Sequence, residues 1–158
     1  MAGADAMPSI TLSHLAAGPT PPRARAAWPN VLHTRVADIV ARKAPPPWSI
    51  RIIQDERQLV TLIADRPGDG NRPHWHAEFD EWWVVLAGHL QWELTGGIVV
   101  DAGNDDIVWV PRGTVHHIRN VGLDDSLRLA VAMPPALHRF SPCAQCGYTD
   151  DGPREWCA

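Results

Sequence analysis

From Trp48 onward the chain is a succession of short runs in which apolar residues alternate with polar ones or β-branched residues cluster. The runs WSIRIIQ (48–54) and QLVTLIA (58–64) flank the polar turn Asp55-Glu56-Arg57, which predicts a hairpin. Further strand-like runs follow at 82–86, 89–94, 98–100, 107–110, 115–118 and 127–133, punctuated by Gly88, Gly96-Gly97, Gly103, Pro111-x-Gly113 and Gly122. No helical periodicity interrupts them. Many short strands without βαβ alternation predict an all-β antiparallel sandwich or barrel. Ahead of them Val31, Leu32, Val36, Ile39 and Val40 recur at helical spacing, and Ala44-Pro45-Pro46-Pro47 forbids continuation. One short helix over residues 31–43 is therefore expected. Residues 1–24 mix Ala, Gly, Pro and Thr without periodicity and are read as a loosely docked arm, with one domain over 25–140 and a tail over 141–158.

At 158 residues the chain can bury roughly two-thirds of its unfolded surface in a single core. Its 18 acidic and 14 basic residues give a net charge of -4, and no run of Lys or Arg is present. That balance offers no footprint for nucleic acid or an anionic membrane. No uncharged apolar run approaches membrane-spanning length, and the first residues lack the basic start and apolar stretch of a secretory signal. The expectation is a soluble, cytoplasmic protein. All 3 cysteines fall in the last sixteen residues, which is no disulfide framework.

The chemistry concentrates in Pro73-His74-Trp75-His76-Ala77-Glu78-Phe79-Asp80-Glu81-Trp82-Trp83. On a strand His74 and His76 share a face, so two imidazoles can converge on one ion. The loop Ala77 to Asp80 can re-aim the chain to bring Glu81 beside them, giving the two-histidine, one-carboxylate set that leaves positions open on a metal. His116, on a later strand after Pro111-Arg112-Gly113, can supply a third imidazole. Glu78 and Asp80 are alternative carboxylates, and His117 and His89 are read as surface or interior polar residues rather than ligands.

Gly68, five residues, His74-x-His76, four residues, Glu81, six residues and Gly88 together resemble the first cupin motif, and Pro111-x-Gly113-x-x-His116-x-x-x-Asn120 resembles the second. The resemblance covers residues 48–133 and implies a cupin jelly-roll β-barrel holding one divalent metal on His74, His76, Glu81 and His116. One departure stands out. The glycine that precedes the second motif's proline by six positions falls at Asp105, with Gly103 two residues earlier, and a longer turn at Asn104-Asp105 is expected to absorb the difference.

A weaker likeness is to 3-hydroxyanthranilate 3,4-dioxygenase. The shared features are a proline-rich lead-in, Asn71-Arg72 ahead of His76, Asp80-Glu81 followed by two aromatics, and Cys143-x-x-Cys146 after the barrel. The chain departs from that enzyme in having two histidines in its first motif, no glutamate in LRLAVAMPP and no second Cys-x-x-Cys. Cys143, Cys146, Cys157 and His138 could form a second, tetrahedral zinc or iron site; free thiols or a Cys143–Cys146 disulfide are the other readings.

Parity with Glu81 directs Trp83 inward, and Ile107 and Trp109 form a same-face pair, so Trp83 and Trp109 are assigned to an aromatic substrate pocket. Arg72 shares parity with His74 and is assigned to grip a substrate carboxylate, alongside Glu81 as the catalytic pair. The resulting expectation is an Fe(II) dioxygenase acting on a small aromatic or carboxylate-bearing molecule. Its alternatives are a Zn, Ni or Mn isomerase, cyclase or lyase, and a non-enzymatic binding module. The family resemblance further implies a homodimer.

Overall fold

A computed structural model describes residues 28–133 and the backbone of 139–140. The arm over 1–24 and most of the tail, with His138, Cys143, Cys146 and Cys157, lie outside the described residues. Among the described residues one helix, α1 (Val36–Val40), precedes ten strands: β1 (Trp48–Gln54), β2 (Leu59–Asp65), β3 (His74–Trp75), β4 (Glu81–Ala87), β5 (Leu90–Leu94), β6 (Ile98–Ala102), β7 (Ile107–Val110), β8 (His116–Asn120), β9 (Ser126–Ala132) and β10 (Arg139–Phe140). They form two five-stranded sheets, ordered β1-β2-β9-β4-β7 and β10-β3-β8-β5-β6. Every pairing is antiparallel. Among the described residues no helix is long and apolar enough to cross a membrane.

The alternation of the strands builds the layers. Trp83, Val85, Val108, Val110 and Ala130 from the first sheet meet Leu90, Trp92, Ala102 and Ile118 from the second in one buried cluster. Among the described residues, the opposite face of the first sheet is only half covered. There Ile39 of α1, with no exposed surface, packs on Leu62, Ala64, Ala87 and Leu127, with Trp28 and Trp48 around it.

The helix is much shorter than its apolar spacing predicts. Asn30, at φ 69°, donates its side-chain amide to the Gln54 carbonyl and accepts the Gln54 N–H, while its own N–H bonds the Ile52 carbonyl. Trp28 Nε1 donates to Thr34 Oγ1 at 3.1 Å. These ties pin the preceding segment to β1, so Val31 and Leu32 do not join the helix, and Leu32 is fully exposed. The β1–β2 hairpin forms as expected: Asp55 Oδ1 accepts the N–H groups of Arg57 and Gln58.

The β6–β7 turn is not lengthened at Asn104-Asp105. Asp105 takes φ 71°, the left-handed conformation that a glycine would adopt there at least cost, and its N–H bonds the Val85 carbonyl. Asp106 closes the turn by accepting the Gly103 N–H at 2.8 Å. Aspartate tolerates this backbone better than most residues, so the motif's geometry survives the substitution without an insertion.

Deeper along the core, Arg128 of β9 and Asp65 of β2 form a buried, hydrogen-bonded ion pair. The Asp65 carbonyl also accepts from Asn120 Nδ2 at 3.1 Å, joining the two sheets. Removing one partner of such a pair strands the other charge in a low-dielectric site. Asp65→Ala is therefore expected to lower unfolding free energy by about 3–5 kcal/mol, and the double substitution Asp65→Leu, Arg128→Met by far less. Urea denaturation of both variants checks this.

Candidate metal centre

β3 and β8 place His74 directly opposite His116, with their ring centroids 4.2 Å apart. His76 follows β3 on the same face, 5.1 Å from His74 and 5.5 Å from His116 between ring centroids. These three come from one sheet. Glu81, the first residue of β4, comes from the other, because the four-residue loop between them turns the chain across the barrel. One ligand atom from each of the four lies within 4.8 Å of all the others.

Local bonds fix how the rings point. His74 Nδ1 lies 2.8 Å from the Arg72 carbonyl, and His116 Nδ1 lies 3.1 Å from the Thr114 carbonyl. A carbonyl only accepts, so in these bonds Nδ1 carries the proton and Nε2 is left with its lone pair free for a metal. The same device, a histidine bonded to the carbonyl two residues upstream, thus sets two of the ligands. Asn71 Nδ2, a donor, lies 3.1 Å from the same His74 nitrogen and favours the opposite tautomer; ligation through Nε2 would select the carbonyl-bonded one. His76 Nε2 sits 2.9 Å from Glu81 Oε2. His116 Nε2, 3.4 Å from the same oxygen, is not aligned for a hydrogen bond and remains a buried nitrogen without a partner. An orphaned imidazole nitrogen aimed at a buried carboxylate fits a divalent cation between them.

Burial alone would raise the Glu81 carboxyl, but the imidazoles of His116 and His76 more than offset this and hold it at about 2, against an ordinary 4.5. The carboxylate is therefore ionised as a ligand must be. Phe79, 4% exposed, stacks on His76 with centroids 4.4 Å apart, and Trp83 meets the His116 ring edge-on at 5.3 Å. These rings wall the site with apolar surface.

A family model described as the cupin domain matches residues 61–133. Over that segment the chain carries a cupin domain. No curated protein matches the sequence. Among solved structures, the cupin resembles an uncharacterized conserved protein with a double-stranded β-helix domain from Klebsiella pneumoniae, at TM-score 0.60 and 21% identity, over 69% of this chain and 98% of that one. A cupin superfamily protein from Desulfitobacterium hafniense is similar at TM-score 0.56 and 17% identity, over 70% and 98%. A Thermus thermophilus protein is similar at TM-score 0.56 and 25% identity, over 64% and 98%. The jelly-roll, or double-stranded β-helix, architecture is thereby shared.

The cupin's other assigned residues fall in different places. Trp83 faces inward, 2% exposed, beside the ligands. Trp109 does not line the interior: it is 60% exposed. The register pairs Trp82 with Trp109 and Trp83 with Val108, and directly paired residues share a face, so Val108 and Val110 fill the interior while Ile107 and Trp109 point out. Arg72 is half-buried, and its carbonyl is the acceptor for His74. Glu78 and Asp80 are exposed and bond backbone N–H groups, of Ala77 and Arg112 respectively, which leaves Glu81 as the one carboxylate at the centre among the described residues. His117 faces Glu93 on the outer surface, and His89 is half exposed beside Asp101.

Two residues at the site have roles that the motif reading does not give. Phe79 sits in a polar loop, where nothing in the local pattern marks it as buried. Asn71 accepts the Ile118 N–H at 2.6 Å through Oδ1, tying the lead-in to β8. Gly70 makes that approach possible, because a Cβ there would meet the Ile118 carbonyl oxygen at 2.1 Å.

Because the Glu81 carboxyl is lowered on folding, its contribution to metal-free stability is complete above about pH 4.5 and is lost as pH falls toward about 2. Acid titration of the metal-free protein by circular dichroism should show this loss, and Glu81→Gln should remove it from that interval.

Proposed function

We propose that this cupin is a metal-dependent enzyme, an iron(II) dioxygenase acting on a small aromatic or carboxylate-bearing molecule. The observation that carries the reading is the convergence of His74, His76, Glu81 and His116 ligand atoms within 4.8 Å, beside the buried apolar cluster around Trp83. A divalent ion held by this set would supply a Lewis-acidic, redox-active centre with positions left open for exogenous ligands. The protein's part is geometric and electrostatic. Glu81 provides a fixed negative charge that offsets part of the ion's own. The Arg72 and Thr114 carbonyls hold two imidazoles in the ligating tautomer. Phe79 and Trp83 exclude water from one side and offer flat apolar surface to a planar substrate. Arg72 precedes His74 by two residues and is half-buried, a placement that supports a role in orienting a substrate carboxylate.

Anaerobic purification with metal analysis, followed by oxygen-uptake assays on hydroxylated aromatic acids, tests the reading. Near-stoichiometric iron with substrate-dependent oxygen consumption is expected. Glu81→Gln and His116→Ala should weaken metal binding by more than the roughly tenfold to hundredfold typical of a lost outer partner. Tightly held zinc, nickel or manganese without oxygen use would replace the dioxygenase by Lewis-acid chemistry at the same site. A wild-type protein that takes up no divalent metal would overturn the enzymatic reading altogether.

A further inference from the structure

A cavity of about 370 Å³ opens on the outer face of the first sheet, between the end of α1 and the start of β9. We propose that it binds a small zwitterion with a flat apolar side group, of the chemical class of a free aromatic amino acid. The site is separate from the metal centre. Ala64 and Leu127 in its floor belong to the cluster under α1, on the face away from the ligands. Along β9, Leu127 also lies four residues, or about 13 Å, from Val131, which pairs with Trp82 beside Glu81.

The register accounts for the depression. Trp48 pairs with Ala64 and Ala64 with Leu127, so the three side chains stand in one row across β1, β2 and β9 on a single face. Neighbouring strands lie about 4.8 Å apart, which sets Trp48 and Leu127 about 10 Å from each other with only a methyl group between them. That notch is wide enough for one flat ring. The helix does not fill it: Ile39 is the buried residue of α1, and the helix ends at Val40. Beyond it Ala44-Pro45-Pro46 forms the rim, and prolines, lacking an N–H, cannot draw this wall onto the sheet by donating hydrogen bonds.

Two opposite charges border the apolar floor. Lys43 Nζ stands 5.9 Å from the centroid of the Trp48 ring, and Asp125 lines the cavity from the β9 side. Both are exposed, and neither is held in an ion pair among the described residues. A ligand of one sign would be attracted by one of them and repelled by the other. A molecule carrying both signs is attracted by each: its carboxylate by the Lys43 ammonium and its ammonium by the Asp125 carboxylate. With its ring over Ala64, between Trp48 and Leu127, it would use the charges and the floor together. The volume lies at the lower end of the roughly 300–1,000 Å³ found for small-molecule sites.

Calorimetric titration of the full chain with L-phenylalanine, 3-phenylpropionate and phenethylamine is the test. Excess EDTA keeps the amino acid from being held through a metal on the histidine and glutamate ligands. L-Phenylalanine is expected to bind with a dissociation constant of about 0.1–1 mM, a strength within reach of a ligand of about twelve non-hydrogen atoms. It should bind about fivefold more tightly than either single-charge analogue, the scale of one exposed ion pair. Lys43→Met should reduce it to the level of phenethylamine, and Asp125→Asn to that of 3-phenylpropionate. Lys43 is the single lysine of the chain, so acetylation read by mass spectrometry reports directly on the cavity. Saturating L-phenylalanine should slow its acetylation by about threefold or more. Both substituted residues are exposed, and an unchanged circular dichroism spectrum confirms that each variant folds. No binding of L-phenylalanine, binding no tighter than that of the analogues, or binding indifferent to both substitutions overturns the proposal. A Lys43 that resists acetylation before any ligand is added overturns it as well, and assigns the cavity to another part of this chain.

Discussion

A carboxylate withdrawn from water inside a β-sandwich is the constraint around which the rest of the cupin is arranged. Glu81 is 9% exposed, and its ionised form persists because the imidazoles of His116 and His76 stand where an apolar core would otherwise continue. The three imidazoles need their own orientation. Two obtain it from carbonyls in their own lead-in segments, which in turn are held by short backbone bonds: the Asn71 N–H to the Ile118 carbonyl and the Gly113 N–H to the His76 carbonyl. The polar cluster at one end and the Arg128–Asp65 pair deeper along the barrel bracket Trp83, Val85 and Trp92. The interior is therefore an apolar layer between two ionic ones.

Keeping charge in such an interior is costly unless each charged group is matched. Asp65 and Arg128 match each other in charge, with Arg128 Nε left without a hydrogen-bond partner, whereas the ligand cluster sets one carboxylate among three imidazoles and leaves His116 Nε2 facing it without one. The difference lies in the donor set: an arginine cannot ligate a metal, and three imidazoles with a carboxylate can. Both look alike in a composition table.

Much of this was legible from spacing. Strand alternation put His74 and His76 on one face, and the four-residue loop brought in Glu81 instead of Glu78 or Asp80, whose side chains serve the backbone. The β1–β2 hairpin and its turn followed from Asp55-Glu56-Arg57. What spacing could not supply was the phase of one strand against another. Ile107 and Trp109 were correctly a same-face pair, but which face depends on the pairing of β7 with β4, a non-local fact. The helix failed for a related reason: Val31 and Leu32 fit a helical period, yet tertiary bonds from Asn30 to β1 hold the chain out of the helix there. Phe79 was missed because its burial comes from stacking on a ligand ring rather than from any pattern in HAEFDE.

The division of the four donors between two sheets has a consequence for how the protein matures. Three arise on β3, β8 and the residue after β3, and the fourth opens β4 in the facing layer, so a half-assembled chain never presents the complete set. A divalent ion bound by all four donors would be captured only after the layers dock and would then lock them together, as a rivet does two plates. Its uptake would mark the moment at which the sandwich has closed.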